Sequence, residues 1–373
     1  MFAQSVPACY NFYIRCFSYS KRQLMKNLIY TMCILLLFAG CTKGINSVSE
    51  KTINSSSGES AQKQLIKYGA QVEASDIPSK IGVMNDLGVS YNRYTITIAE
   101  WKGADKGYQK FIDNGFHVVC NINNAVQSSS QKPVPFLKDT VTYKKKLAQI
   151  LSKYQPEVVV IENEEDNHYY YSGAMTDYIN EIAAASRVVH AKGLKVANGG
   201  LHPKDICYFV WKDYNDRGLT AKADDWMNLT FNSTMKYAAT HPQKVDNNLN
   251  YHWRQVDTLL NAYTSLNIDY INIHIYEPIN DVGNGDSTIP GCIATMADYL
   301  RRRTGKSVIS NECGQHNTST TIVPSMLQAF ADGNYAYSLW FSCDGNKAYA
   351  LNNSDGSLRP NGVSYKNYVS QYR

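Results

Sequence analysis

Val158-Val159-Val160-Ile161-Glu162-Asn163-Glu164-Glu165-Asp166-Asn167 is the stretch on which the reading of this chain turns. It opens as a continuous β-branched apolar run, the mark of a strand buried on both faces. It ends in four carboxylates and two amides, with no basic residue among them. Charge at the end of a buried strand is costly to desolvate, and such a cost marks a site more often than a scaffold. Ser307-Val308-Ile309-Ser310-Asn311-Glu312-Cys313-Gly314 repeats the form, a short apolar strand closing on one Glu and then Gly.

Working outward, apolar runs of strand length alternate with helix-period stretches. Strands are expected at 68–72, 89–94, 116–122, 158–161, 194–199, 268–276, 307–314 and 335–341. Helices are expected at 77–87, 108–114, 142–154, 176–191, 256–266, 293–303, 322–331 and 365–372. Residues 200–250 form a long insertion, rich in Asn, Asp and aromatics and expected to be partly helical. Eight strands alternating with helices predict a (β/α)8 TIM barrel, of the α/β class, over 65–373. A doubly wound open sheet is the competing architecture. It would want a glycine-rich phosphate turn after its first strand, which Gly69-Ala70-Gln71 does not supply.

The chain carries a formal charge of +5, of which four charges (Arg15, Lys21, Arg22 and Lys26) lie in residues 1–40, where there is no acid. The rest is nearly neutral, which argues against nucleic acid as the partner. Lys21, Arg22 and Lys26 precede an apolar run at 28–38, too short to span a bilayer well, and then Ala39-Gly40-Cys41. This arrangement resembles a bacterial lipoprotein signal, with Phe38 where that signal usually has Leu. The resemblance implies lipidation of Cys41, a signal segment at 1–40 and anchorage in the bacterial cell envelope. Met25 is a possible start. Residues 41–64 are rich in Ser, Asn, Gly and Lys and read as a flexible tether. The other body cysteines (120, 207, 292, 313 and 343) show no metal-ligand spacing, and no cofactor is implied.

Five pieces, in order, resemble the clan A glycoside hydrolases, a superfamily of retaining (β/α)8 enzymes: 84–93 ending in Arg93, Asn163-Glu164, His274-Ile275-Tyr276, Glu312-Cys313-Gly314, and Trp340. The resemblance implies a glycan substrate, Glu164 as acid/base and Glu312 as nucleophile. Arg93, Asn163, His274, Tyr276 and Trp340 are the implied substrate-binding or supporting residues, Trp340 through an apolar face for a sugar ring. Where that family often has Pro after the fourth-strand pair, this chain has Glu165, so Glu162 and Glu165 compete with Glu164.

Glycosidic cleavage needs a proton for the leaving oxygen and electron density at the anomeric carbon. Two carboxyl groups about 5–5.5 Å apart supply both with retention. Glu164 is then expected to carry a pKa raised by burial or by the charge of Glu312. Asn121, Asn123 and His202 are further cleft candidates. Tyr169-Tyr170-Tyr171, Trp211, Trp226 and Trp253 are candidate sugar platforms. Two other readings compete: a noncatalytic glycan-binding lipoprotein on a degenerate barrel, and a metal-dependent hydrolase using Glu162, Glu164, Asp166 and His168.

Overall fold

The structure is a computed structural model describing residues 65–126, 134–135, 137–241, 247–276, 288–316, 318–343 and 349–372. Eight parallel strands close a barrel in chain order: β1 (Lys67–Val72), β2 (Tyr91–Thr97), β3 (His117–Asn123), β4 (Val158–Ile161), β5 (Lys195–Asn198), β6 (Tyr270–Asn272), β7 (Ser307–Cys313) and β8 (Tyr337–Ser342), which pairs back with β1. Helices α1 (Ile77–Leu87), α2 (Lys106–Asp113), α3 (Thr140–Lys153), α4 (Met175–His190), α5 (Pro203–Asp216), α6 (Thr220–Thr230), α7 (Ser233–Thr240), α8 (Asn247–Ser265), α9 (Ile289–Thr304), α10 (Ile322–Asp332) and α11 (Pro360–Val369) connect and follow them. The predicted lipoprotein signal, Cys41 and the tether lie outside the described residues.

The local chemistry accounts for these elements. Asp76, Asp105 and Asp139 each cap the helix that follows by accepting from its first free N–H groups. Within β4 the apolar run divides: Val158 and Val160 join Val119, Ala197, Ile309 and Leu339 in one small core, while Val159 and Ile161 pack into the larger one with the helices. Alternation of side chains along a strand sends them to the two sides of the barrel wall, and both sides are dry.

Two expectations shift. The second strand was expected at 89–94 but runs Tyr91–Thr97, because the backbone N–H of Val89 still bonds to Met84 at the end of α1. The insertion is far more helical than expected, with α5 to α8 lying between β5 and β6, and α8 begins at Asn247 instead of 256. Its aromatics build that layer's own core: Trp226 and Trp253 are buried, and Tyr208 stacks on Trp253 with ring centroids 3.6 Å apart.

Candidate active site

Leaving β4, the backbone takes the left-handed conformation at Glu162 (φ 66°) and again at Glu164 (φ 46°). Such φ values cost a non-glycine residue about 1–3 kcal/mol each and collect at functional sites. Here they send neighbouring carboxylates in different directions. Glu162 accepts from the Asn124 N–H at 2.6 Å and lies beside Glu181, which accepts from the Tyr171 hydroxyl at 2.5 Å. Glu165 accepts from the Tyr263 hydroxyl (2.6 Å) and the Asn198 amide (2.7 Å). Asp166 accepts from the His202 N–H at 2.9 Å. Burial, then the charge of Glu181, pushes the Glu162 carboxyl well up. Burial and Asp166 push Glu165 to about 7. Glu164 alone of the four is held against the partners of Glu312.

Glu312 owes its direction to β7. Ser310 pairs with Ser338 and Cys313 with Trp340, so β7 carries one residue more than β8 between these points. A bulge of this kind re-aims a side chain. The Arg93 guanidinium meets Glu312 at 2.8 Å and also donates to Gln71 (2.6 Å) and Asn163 (2.7 Å). Guanidinium nitrogens only donate, so Asn163 turns its oxygen to Arg93 and keeps its NH2 for another acceptor. The Tyr276 hydroxyl donates to Glu312 at 3.1 Å. Gly314 makes room for that tyrosine, since a Cβ there would meet the Tyr276 ring at 2.8 Å.

His274 sits between the two acids. Its Nδ1 is 3.0 Å from Glu164 Oε1 and 3.9 Å from Glu312 Oε2. One oxygen of each glutamate and an imidazole nitrogen all lie within 4.8 Å of one another. The tautomer of His274 follows from a chain of amides. The backbone N–H of Asn311 donates to the side-chain oxygen of Asn272 (3.0 Å), so the NH2 of Asn272 is the group that donates to Asn311 Oδ1 (2.7 Å). Asn311 Oδ1 is therefore an acceptor, and His274 Nε2, 3.0 Å away, must carry hydrogen. In a neutral imidazole Nδ1 would then be a lone pair facing a carboxylate oxygen. The 3.0 Å contact thus requires a proton between Nδ1 and Glu164. Gly200 (φ 128°) leaves space for the ring; a Cβ there would sit 2.2 Å from Nε2.

This corrects the expectation of a raised Glu164 pKa. Burial pushes that carboxyl up, but the hydrogen bond and charge of His274, then His202 and the Asn167 amide, outweigh it and hold Glu164 down at about 2. Burial lowers His274, and the charges of Glu312 and Glu164 raise it to a net value above its ordinary one. The shared proton rests on the imidazole side.

Arg93, Asn163, Glu164, His274, Tyr276 and Glu312 thus converge. Trp340 does not: it is fully buried, donates to the Tyr349 carbonyl and packs edge-on against Tyr365. Strand alternation turns it outward, and its neighbour Phe341 lines the cleft instead. Trp226 and Trp253 are likewise core. Tyr169 and Tyr170 line the cleft, and Tyr171, largely buried, donates to Glu181 and borders its Arg93 side. Asn123 and His202 line it as well; Asn121 lies beneath, accepting from Asn311 at 2.8 Å.

The proposed metal set of Glu162, Glu164, Asp166 and His168 is dispersed by the two left-handed residues. Among the described residues, Glu164–His274–Glu312 and Asp166–Asp205–His252 are the groups with ligand-like spacing. Arg93 already answers Glu312 in the first. In the second, burial lowers His252 but the hydrogen bond to Asp205 (2.9 Å) raises it to about 9, which makes it a cation itself.

No family model matches the chain, and no curated protein matches it. Solved structures do. A family 39 glycoside hydrolase from Bacteroides cellulosilyticus WH2 superposes with a TM-score of 0.51 at 13% identity, covering 83% of this chain and 64% of that one. A family 128 endo-β-1,3-glucanase from Sorangium cellulosum gives 0.48 at 16% identity over 80% and 97%. Another from Amycolatopsis mediterranei, with laminarihexaose, gives 0.47 at 10% over 81% and 98%. The likeness to the family 39 enzyme is one of fold.

Proposed function

We propose that this protein is a retaining β-glycosidase of the clan A type, acting on a β-linked oligo- or polysaccharide. The observation that carries the reading is the meeting of Glu164 and Glu312, whose nearest oxygens lie within 4.8 Å, each with a different cationic partner. That spacing suits direct attack by one carboxylate, without room for an intervening water.

Glu312 attacks the anomeric carbon and forms a glycosyl ester, while the leaving oxygen takes a proton from Glu164. That proton reaches Glu164 from His274 across their 3.0 Å contact, so glycosyl transfer leaves Glu164 a carboxylate beside a neutral imidazole. Glu164 then takes a proton from the water that cleaves the ester, and the anomeric configuration is retained. The Asn163 NH2 suits the sugar 2-hydroxyl, a bond that strengthens in the transition state. Phe341 offers a ring face beside the nucleophile.

Hydrolysis of β-linked oligosaccharides followed by proton NMR should release the β-anomer first. Glu312→Gln and Glu164→Gln should each abolish or cripple it. First release of the α-anomer, or full activity in either variant, sinks the reading.

We further propose, on the N-terminal sequence alone, that the enzyme is tethered to the bacterial envelope through lipidated Cys41. Labelled palmitate should enter the wild type and not Cys41→Ala.

A further inference from the structure

Beyond Gly200 and His202 at its start, the insertion between β5 and β6 has no part in the chemistry above, yet it brings aromatic surface to the edge of the cleft. The cavity over the two glutamates, about 690 Å³, is bordered on one side by Asn167, Tyr169 and His202. The same three residues border a second cavity of about 790 Å³, whose far wall is built from α7 and α8. The two cavities therefore adjoin across these shared walls.

Three tyrosines ring the second cavity: Tyr169 after β4, Tyr237 on α7 and Tyr251 on α8. They are 60%, 49% and 55% exposed, in a chain whose other insertion aromatics are largely packed away. Exposed rings gathered around a concavity mark a ligand surface. Ring faces interspersed with hydrogen-bonding groups such as His202 and Gln255 suit sugars, which present apolar C–H faces edged by hydroxyls.

The position of the second cavity fixes which half of a glycan it would take. Asn167 donates to Glu164 Oε2 at 2.7 Å and lies 3.4 Å from His202, so this cavity begins at the partners of the acid/base. The pocket against Arg93, Asn163 and Glu312 is smaller, about 220 Å³, and mixes these polar groups with Tyr170 and Phe341. A general acid stands on the side of the leaving group, and a nucleophile stands under the ring it attacks. The smaller pocket therefore belongs to the sugar that becomes covalently held, and the tyrosine-ringed cavity to the leaving chain.

Resting on the glycosidase reading, we propose that the insertion supplies the leaving-group subsites of this enzyme: a tyrosine-lined trough that holds the reducing-end part of a β-linked glycan, more than one sugar long. A cavity within the range of about 300–1,000 Å³ that encloses drug-sized ligands has that room. Catalytic efficiency then grows with each sugar added at the reducing end, and Tyr237 and Tyr251 set how steeply.

The test compares two substrates in the wild type, Tyr237→Ala and Tyr251→Ala. The β-glycosyl fluoride has a leaving group too small to reach the insertion and reports the catalytic pair alone. The second substrate is a hexasaccharide, chosen from the cello-, laminari-, manno- and xylo-series as the one cut best. The ratio of kcat/KM on hexasaccharide to that on fluoride should fall about 5–10-fold in each variant, the equivalent of about 1–1.4 kcal/mol for one lost ring contact. An unchanged ratio overturns the proposal, whether both activities hold or both fall together. Failure of the wild type to hydrolyse any fluoride would instead strike the glycosidase reading. In that event hexasaccharide binding, read by tyrosine fluorescence, replaces kcat/KM: weaker binding in the variants sustains the trough, and unchanged binding ends it.

Discussion

Strands β4 and β7 each end in a buried glutamate, and the two differ in the cation set against them. Glu312 meets a guanidinium at 2.8 Å, which has no proton to hand over. Glu164 meets an imidazole at 3.0 Å, which does. The two carboxyls share one mouth, so in the proposed mechanism their roles follow from the partner and not from depth of burial. One is held as an electron-rich oxygen. The other sits at the end of a proton-conducting contact whose far side is locked by Asn311 and Asn272.

The contrast breaks most completely at the acids themselves. Glu312→Gln should remove activity on every substrate, because no other group can form the ester. Glu164→Gln should lose on the order of 10²–10⁴-fold on natural glycans, and much less on a glycoside whose leaving group needs no proton. Azide added to Glu164→Ala should restore turnover and yield a β-glycosyl azide. The same response in both acids' variants would erase the distinction drawn here. Next in size is Arg93→Met, which strips Glu312, Asn163 and Gln71 of a common donor. A loss of about 10²–10³-fold in kcat/KM, comparable to removal of a charge-stabilising donor elsewhere, is expected. A loss under tenfold would show that Arg93 only fills space.

The histidine gives a sharper, smaller signal. In the wild type the catalytic proton departs with the upper ionisation of the Glu164–His274 pair, and His274 lies above its ordinary value of 6.5. In His274→Gln the proton can bind only Glu164. Burial then acts on that carboxyl without the imidazole's opposition, so its pKa rises from about 2 but is that of a lone carboxyl. The alkaline limb of kcat/KM against pH should therefore move to lower pH in the variant, with its acid limb little changed. A limb that stays in place or moves up would show that no proton is shared.

Much of this was legible in the residues. The barrel could be read because 158–161 and its counterparts are apolar throughout, and Glu164, Glu312, Arg93, His274 and Tyr276 because the short pieces that hold them resemble, in order, those of clan A glycoside hydrolases. Register inside a strand was harder. Trp340 and Phe341 are adjacent aromatics, and one step of the pleat decides which faces the cleft. The competition among Glu162, Glu164 and Glu165 could not be settled from spacing, since it is decided by positive φ at two positions. The asparagine layer of Asn121, Asn198, Asn272 and Asn311 left a trace, an Asn at or near the end of four strands, but only Asn121 was singled out. What these amides do depends on cross-strand hydrogen bonds that no local pattern encodes.

Glu165, turned away from the mouth, supplies the last and smallest effect, on stability and not on rate. Glu165 is raised to about 7 from an ordinary 4.5 by burial and by Asp166. Between those values the folded protein holds a proton that the unfolded chain releases, so this residue makes stability fall as pH rises from about 4.5 to 7. At about 1.4 kcal/mol per unit the contribution is at most about 3 kcal/mol. Glu165→Gln keeps an acceptor for Tyr263 and Asn198 but cannot ionise. Urea midpoints at pH 5 and pH 8 should lie closer together in the variant than in the wild type, with the gain at pH 8. An equal gap in the two proteins would mean that Glu165 keeps one charge state across this range.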